Sequence, residues 1–219
     1  MTVIYLSNLF PMQLIEPQRW VNLLQSLNSW VSSSQLLFTI VSVLADVIVF
    51  LFPIFLVVVY IVWMKKKNNT FKEYALRIFS SAVVAAIINI IIQFFFNKAR
   101  PESAIEWTGW LLLKHLPTMS FPSDHAAVSM AFGIATYYFV YLLVWTKVQK
   151  IMKWWGIFFI VWWVIMSLAR IAVWIHWPTD ILAGWAIWVI AMNIVHYIPR
   201  AIFTWIISIE KKIVWIFVK

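Results

Sequence analysis

The chain has 219 residues, 64% of them hydrophobic and 11% charged, with 16 Trp and no Cys, and a mean hydropathy of +0.89. Soluble domains average roughly 45–50% apolar and about 25% charged residues, so the composition argues against a water-soluble domain, and the lack of Cys removes disulfides, thiolate metal sites and cysteine nucleophiles. The net charge of +9 comes without a contiguous polar basic surface, which speaks against a nucleic-acid partner and for the basic loops of a polytopic membrane protein.

In chain order, the N-terminus lacks the basic start, short apolar core and small-residue cleavage site of a signal peptide. Residues 18–31 place Trp20, Leu23, Leu24, Leu27 and Trp30 along one helical face. That pattern predicts an amphipathic helix lying in the interface, where Trp is favoured, within an N-terminal segment 1–35. Five long apolar runs follow at about 42–64, 76–97, 125–146, 155–173 and 180–198. Each meets the length of roughly 20 residues that a spanning helix needs. They define a transmembrane domain over 36–199. The basic, apolar tail 200–219 reads as an interfacial helix or a sixth partial span. The expected fold is therefore all-α: a polytopic membrane bundle of about five to six transmembrane helices plus an N-terminal interfacial helix.

Lys and Arg are retained on the cytoplasmic side of a bilayer. One side of this chain gathers the basic residues of 65–77, 147–153 and 200–219, whereas the other carries only Arg19, Lys98, Arg100, Lys114 and Arg170. This bias predicts that the loops 98–124 and 171–179 lie outside. In the first of them, Ser103 and Glu106 have capping-box spacing, followed by an apolar stretch to Leu116 that is too short to span.

Arg100, His125, Arg170, His176 and Asp180 all fall at the outer ends of predicted spans. Ionisable residues at such depths are costly and usually functional. Two guanidinium groups suit an anion, and imidazoles suit proton transfer and nucleophilic attack. Ser123 stands where a helix cap belongs, and unpaired amides at a helix start bind phosphate. Pro178 fits the first turn of the last span, and Asp180, four residues after His176, is within reach of its imidazole.

These residues fall into three motifs in order: Arg100-Pro101; then Pro122-Ser123-Asp124-His125; then Ala169-Arg170 with His176 and Asp180 at fixed spacing. In this the chain resembles the type 2 phosphatidic acid phosphatases, over about residues 35–198. It departs from the family pattern at three places. Gln93 stands where the family has Lys, with Lys98 as a candidate substitute. Ala169 stands in place of Ser. Asp124 stands in place of Gly, a variant that looks like the bacterial undecaprenyl-diphosphatase branch.

The resemblance implies a membrane lipid phosphatase working without metal or other cofactor through a phosphohistidine. His176 would be the nucleophile, Asp180 its orienting partner and His125 the general acid and base. Arg100, Arg170, Ser123, Lys98 and Asp124 would form the phosphate site. The leading substrate is undecaprenyl diphosphate, which would place the protein in cell wall biogenesis. Phosphatidylglycerol phosphate, phosphatidic acid and lipid A phosphates stay open, as does a non-catalytic protein that binds or transports a lipid phosphate. The expected location is the inner (plasma) membrane, multi-pass, with the site on the extracytoplasmic side; the oligomeric state is not legible. His115 reads as interfacial, Glu102 as solvated, Glu106 as a helix cap and His196 as structural, while Asp46 and Asn89 read as residues satisfied by interhelical hydrogen bonds.

Overall fold

Apolar runs of this length must satisfy their backbone groups internally once water is gone, which favours helices. A computed structural model describes residues 16–46, 51–65, 69–96, 98–104, 119–143 and 146–217, and every regular element among them is helical. In order they are α1 (Gln18–Ser32), α2 (Gln35–Asp46), α3 (Leu51–Lys65), α4 (Asn69–Phe95), the short α5 (Pro101–Ala104), α6 (Asp124–Tyr138) with a 3₁₀ extension (Phe139–Leu142), α7 (Thr146–Ala172), α8 (Pro178–Tyr197) and α9 (Arg200–Phe217). Among the described residues, α4, extended α6, α7 and α8 are long and apolar enough to cross a bilayer, and α2 with α3 adds a fifth span if that bent pair is one. The chain is an all-α, multi-pass membrane protein.

The run expected as one helix over 42–64 is described as two helices, α2 up to Asp46 and α3 from Leu51, whose axes differ by 47°. Here the Ala45 carbonyl accepts from the Arg170 guanidinium at 2.9 Å, and the buried Asp46 carboxylate accepts from the same nitrogen at 2.7 Å. Of the outer stretch expected to be capped by Ser103, only Ser103 and Ala104 are described, and both sit inside α5, which starts at Pro101. Glu106 and His115 lie outside the described residues.

Helix α6 is the hub, packed against α4, α7 and α8. Two glycines allow those approaches. A Cβ on Gly156 of α7 would lie 2.7 Å from the Tyr137 backbone, and one on Gly184 of α8 would lie 2.9 Å from the Ala126 side chain. Around α6, Phe52, Phe132 and Phe159 meet in tilted and edge-to-face pairs with centroids 4.9 to 5.2 Å apart, a geometry that adds to area burial. Nearer the start of α6, the buried Trp163 indole donates to the Ala126 carbonyl at 2.7 Å.

The two terminal helices clasp opposite ends. Helix α1 buries Leu24, Asn28 and Val31 and turns Leu23 and Trp30 outward; the Asn28 amide donates to the carbonyl of Ala172 at the end of α7 (3.0 Å). Helix α9 buries Phe203 and Ile207 and exposes Trp205. It is tied to the start of α4 by Lys72–Glu210 (2.6 Å) and Arg200–Glu73 (2.7 Å).

Candidate active site

At the other end of α4, opposite α9, four segments meet: the end of α2, residues 98–100 after α4, residues 119–125 leading into α6, and the α7–α8 turn. That turn follows from how α7 stops. The Trp174 amide bonds to the Ile171 carbonyl (3.2 Å) and the Ile175 amide to the Arg170 carbonyl (3.1 Å), the paired bonds of a Schellman cap. Trp174 holds the left-handed position with φ 63°, where glycine is usual; a side chain there costs about 1–3 kcal/mol. The chain then doubles back, so that the His176 amide also meets the Arg170 carbonyl at 3.3 Å. Pro178 opens α8 as its first residue, and Asp180 caps the helix by accepting the Trp177 N–H at 2.9 Å.

His176 is completely buried, and its surroundings specify its tautomer. Nδ1 faces acceptors only: the Ser120 carbonyl at 2.9 Å and Asp180 Oδ2 at 3.3 Å. Nε2 faces donors only: a terminal nitrogen of Arg170 at 3.1 Å and one of Arg100 at 3.3 Å. The proton therefore sits on Nδ1 and the lone pair on Nε2. Burial, with Arg170 and Arg100 repelling added charge, pushes the imidazole down to about 3 despite the opposing pull of Asp180. The ring is held neutral at neutral pH.

Arg170 is held by Asp46 and by the Ala45 carbonyl, yet its Nε has no hydrogen-bond partner among the described residues. A buried unsatisfied donor is uncommon and asks for an explanation; beside a lone pair between two guanidinium groups, an oxyanion supplies one. Arg100 also donates to the Ile175 carbonyl at 3.0 Å. Burial pulls its guanidinium below the ordinary value, and the carboxylates of Asp124, Glu102, Asp180 and Asp46 counter that pull.

Lys98 turns away from this cradle. Its ammonium meets Asp180 Oδ1 at 2.7 Å, Thr179 at 2.7 Å and the Glu16 carboxylate. It thus lies against Asp180, while the two guanidinium groups take the Nε2 side of His176. Gln93 also has a different partner: with Asn89 it donates to the Pro122 carbonyl, at 3.0 and 3.3 Å. A neutral amide suits a carbonyl acceptor, and the pair pins the 119–123 segment to α4.

Ser123 is the cap of α6; its hydroxyl accepts weakly from the Ala126 amide (3.4 Å), and its own amide donates to the Asp180 carbonyl (3.2 Å). Asp124 is more than half exposed and accepts from the His125 amide (2.8 Å) and Nδ1 (2.9 Å). A carboxylate so placed orients His125 and repels a phosphate. Three participants carried no motif: Asp46, Glu16 and Ser120, whose hydroxyl donates to Asp180 while its carbonyl takes His176. Asp46 had a signal, a carboxylate in a run facing an unpaired Arg170. A backbone carbonyl has none. Among the described residues, no group of three His, Asp or Glu side chains could hold a metal ion.

The sequence pattern of the PAP2 superfamily matches residues 74–204, more than half of the chain. The chain belongs to the PAP2 superfamily. Over 113 residues (52% of this chain and 50% of the relative) it is 27% identical to YbjG of Escherichia coli (strain K12), provisionally named an undecaprenyl-diphosphatase. Over 106 residues (48% and 45%) it is 29% identical to an undecaprenyl-diphosphatase of Sulfolobus acidocaldarius. The aligned stretch spans about half the length of these curated relatives. The fold is similar to the crystal structure of Aquifex aeolicus LpxE, with a TM-score of 0.54 and 19% identity, covering 81% of this chain and 94% of that one.

Proposed function

We propose that this protein hydrolyses a phosphate from a lipid (di)phosphate, with undecaprenyl diphosphate as the leading substrate and undecaprenyl phosphate and inorganic phosphate as products. One observation carries the chemistry: the neutral Nε2 of His176 faces Arg100 and Arg170 at 3.3 and 3.1 Å while its Nδ1–H is anchored to Ser120 and Asp180. A phosphoryl group entering there takes over the guanidinium donors, and its phosphorus comes within reach of the lone pair. Nε2 attacks, the bond to the leaving lipid oxygen breaks, and His125 supplies the proton to that oxygen. Water, deprotonated by His125, then attacks the phosphohistidine and releases phosphate, restoring Nε2. Arg100, Arg170 and the amides at the start of α6 neutralise the charge that builds on the transferring oxygens. Nothing in these steps calls on a metal.

The lipid assignment is supported by the two undecaprenyl-diphosphatase relatives and by Asp124 in the second motif. The same reading puts the site on the extracytoplasmic face of the inner membrane, because the basic loops gather at the other end of the bundle. The test is phosphate release from undecaprenyl diphosphate in detergent with EDTA, comparing wild type with His176→Ala. Wild type should turn over, and loss of the nucleophile should lower kcat by about 10⁴-fold or more. Turnover only of glycerolipid phosphates would move the substrate within the class. Lipid bound intact by wild type would replace a catalyst with a binding protein.

A further inference from the structure

Asp180 is fully buried, and so is a chain of charge behind it. Its Oδ2 takes the Trp177 amide and the Ser120 hydroxyl, and its Oδ1 takes the Lys98 ammonium at 2.7 Å. Lys98, 3% exposed at the side chain, is shared with Glu16, 5% exposed, and Thr179 donates to the same Glu16 oxygen. Glu16 lies two residues before α1. The other Glu16 oxygen is buried with no hydrogen-bond partner among the described residues. Retaining an incompletely paired carboxylate in such a place is expensive.

We propose that Glu16 and Lys98 are positioning residues: a buried Glu16–Lys98–Asp180 chain that fixes Asp180, and through it the His176 imidazole, and so makes the N-terminal segment part of the catalytic apparatus. This rests on the phosphatase reading above. Without Lys98, two buried carboxylates face each other with no cation between them, and one must take a proton or withdraw. Either way Asp180 stops holding its present geometry beneath His176. The backbone supports the same link, since the Ser120 amide donates to the Lys98 carbonyl at 3.0 Å. Lys98 therefore positions both groups that accept from Nδ1, Asp180 through its ammonium and Ser120 through its main chain.

The experiment uses the full-length protein in detergent and measures kcat, KM and the inhibition constant for inorganic phosphate in Lys98→Met, Glu16→Gln and Lys98→Arg. A positioning role predicts that Lys98→Met lowers kcat by about 10²-fold, the scale of a misplaced reacting group. KM and the phosphate inhibition constant should hold within about two-fold, as a mainly transition-state effect requires. Glu16→Gln should do the same to a smaller degree, and Lys98→Arg should recover most of the lost rate. A phosphate inhibition constant raised ten-fold or more in Lys98→Met with kcat retained would make Lys98 a phosphate ligand and overturn the proposal. Unchanged kcat in both neutral variants would overturn it as well. If wild type turns over no lipid phosphate, the functional reading fails by itself. The ¹⁵N shifts of the His176 imidazole then decide: the chain predicts that the Nδ1 resonance moves in Lys98→Met as Asp180 leaves its present position, and identical shifts in wild type and variant rule it out.

Discussion

The two ends of this bundle each bury a cluster of charges, and they use them differently. At the α9 end, Glu73 takes Arg77 at 3.1 Å and Arg200 at 2.7 Å, Lys72 reaches both oxygens of Glu210, and the remaining Arg77 donors cap the carbonyls of Val195 and Ile198. That cluster staples α9 to α4 and α8, and no side-chain atom of those five residues is buried without a partner. At the His176 end, a guanidinium Nε has no partner among the described residues, and an unprotonated ring nitrogen faces two cations. Burial of charge does not distinguish the ends. Leftover hydrogen-bonding capacity does.

The sharpest way to test that contrast is to keep the charge of Arg170 and remove its fork. Arg170→Lys should cost about 10²-fold in kcat while the protein still folds, because an ammonium cannot hold Asp46 and serve an oxyanion at once. Retained activity would show that charge alone suffices. The converse change belongs at the other end. Glu73→Gln strands Arg77 in a buried site, where breaking such a pair costs about 3–5 kcal/mol. Thermal unfolding should move to lower temperature while kcat of the folded protein stays within about two-fold of wild type; a large fall in kcat would mean that the two ends are coupled. The third test is of pH dependence. His176 is pushed from its ordinary 6.5 down to about 3 by burial, so the unfolded chain binds a proton that the folded chain refuses. That contribution to stability is present above about 6.5 and is lost as pH falls toward 3. Unfolding temperature measured across this window should drop more steeply in wild type than in His176→Gln, and identical slopes would show that the ring is not held neutral.

Much of this was written in the sequence because bilayer physics makes it legible. Apolar runs marked α4, α6, α7 and α8, and polar residues at their outer ends marked the site. The rest depends on chain direction between helices, which periodicity does not encode. Lys98 follows the end of α4, where the helix stops and the side chain is free to turn either way; it turned to Asp180. Asp46 pairs with Arg170, a residue more than a hundred positions later. Ser120 acts through its carbonyl, which any residue would carry. The α1 stripe of five apolar residues was visible, yet the face that packs is the one with Leu24, Asn28 and Val31, because Asn28 finds the end of α7.

The central claim is that phosphorus bonds to Nε2 of His176 during turnover. Rapid quenching of the wild-type protein with lipid diphosphate labelled in its terminal phosphate, followed by digestion and mass spectrometry, tests it directly. The account predicts an acid-labile, alkali-stable label on the peptide containing His176. A label on His125, or turnover that never labels the protein, would contradict it.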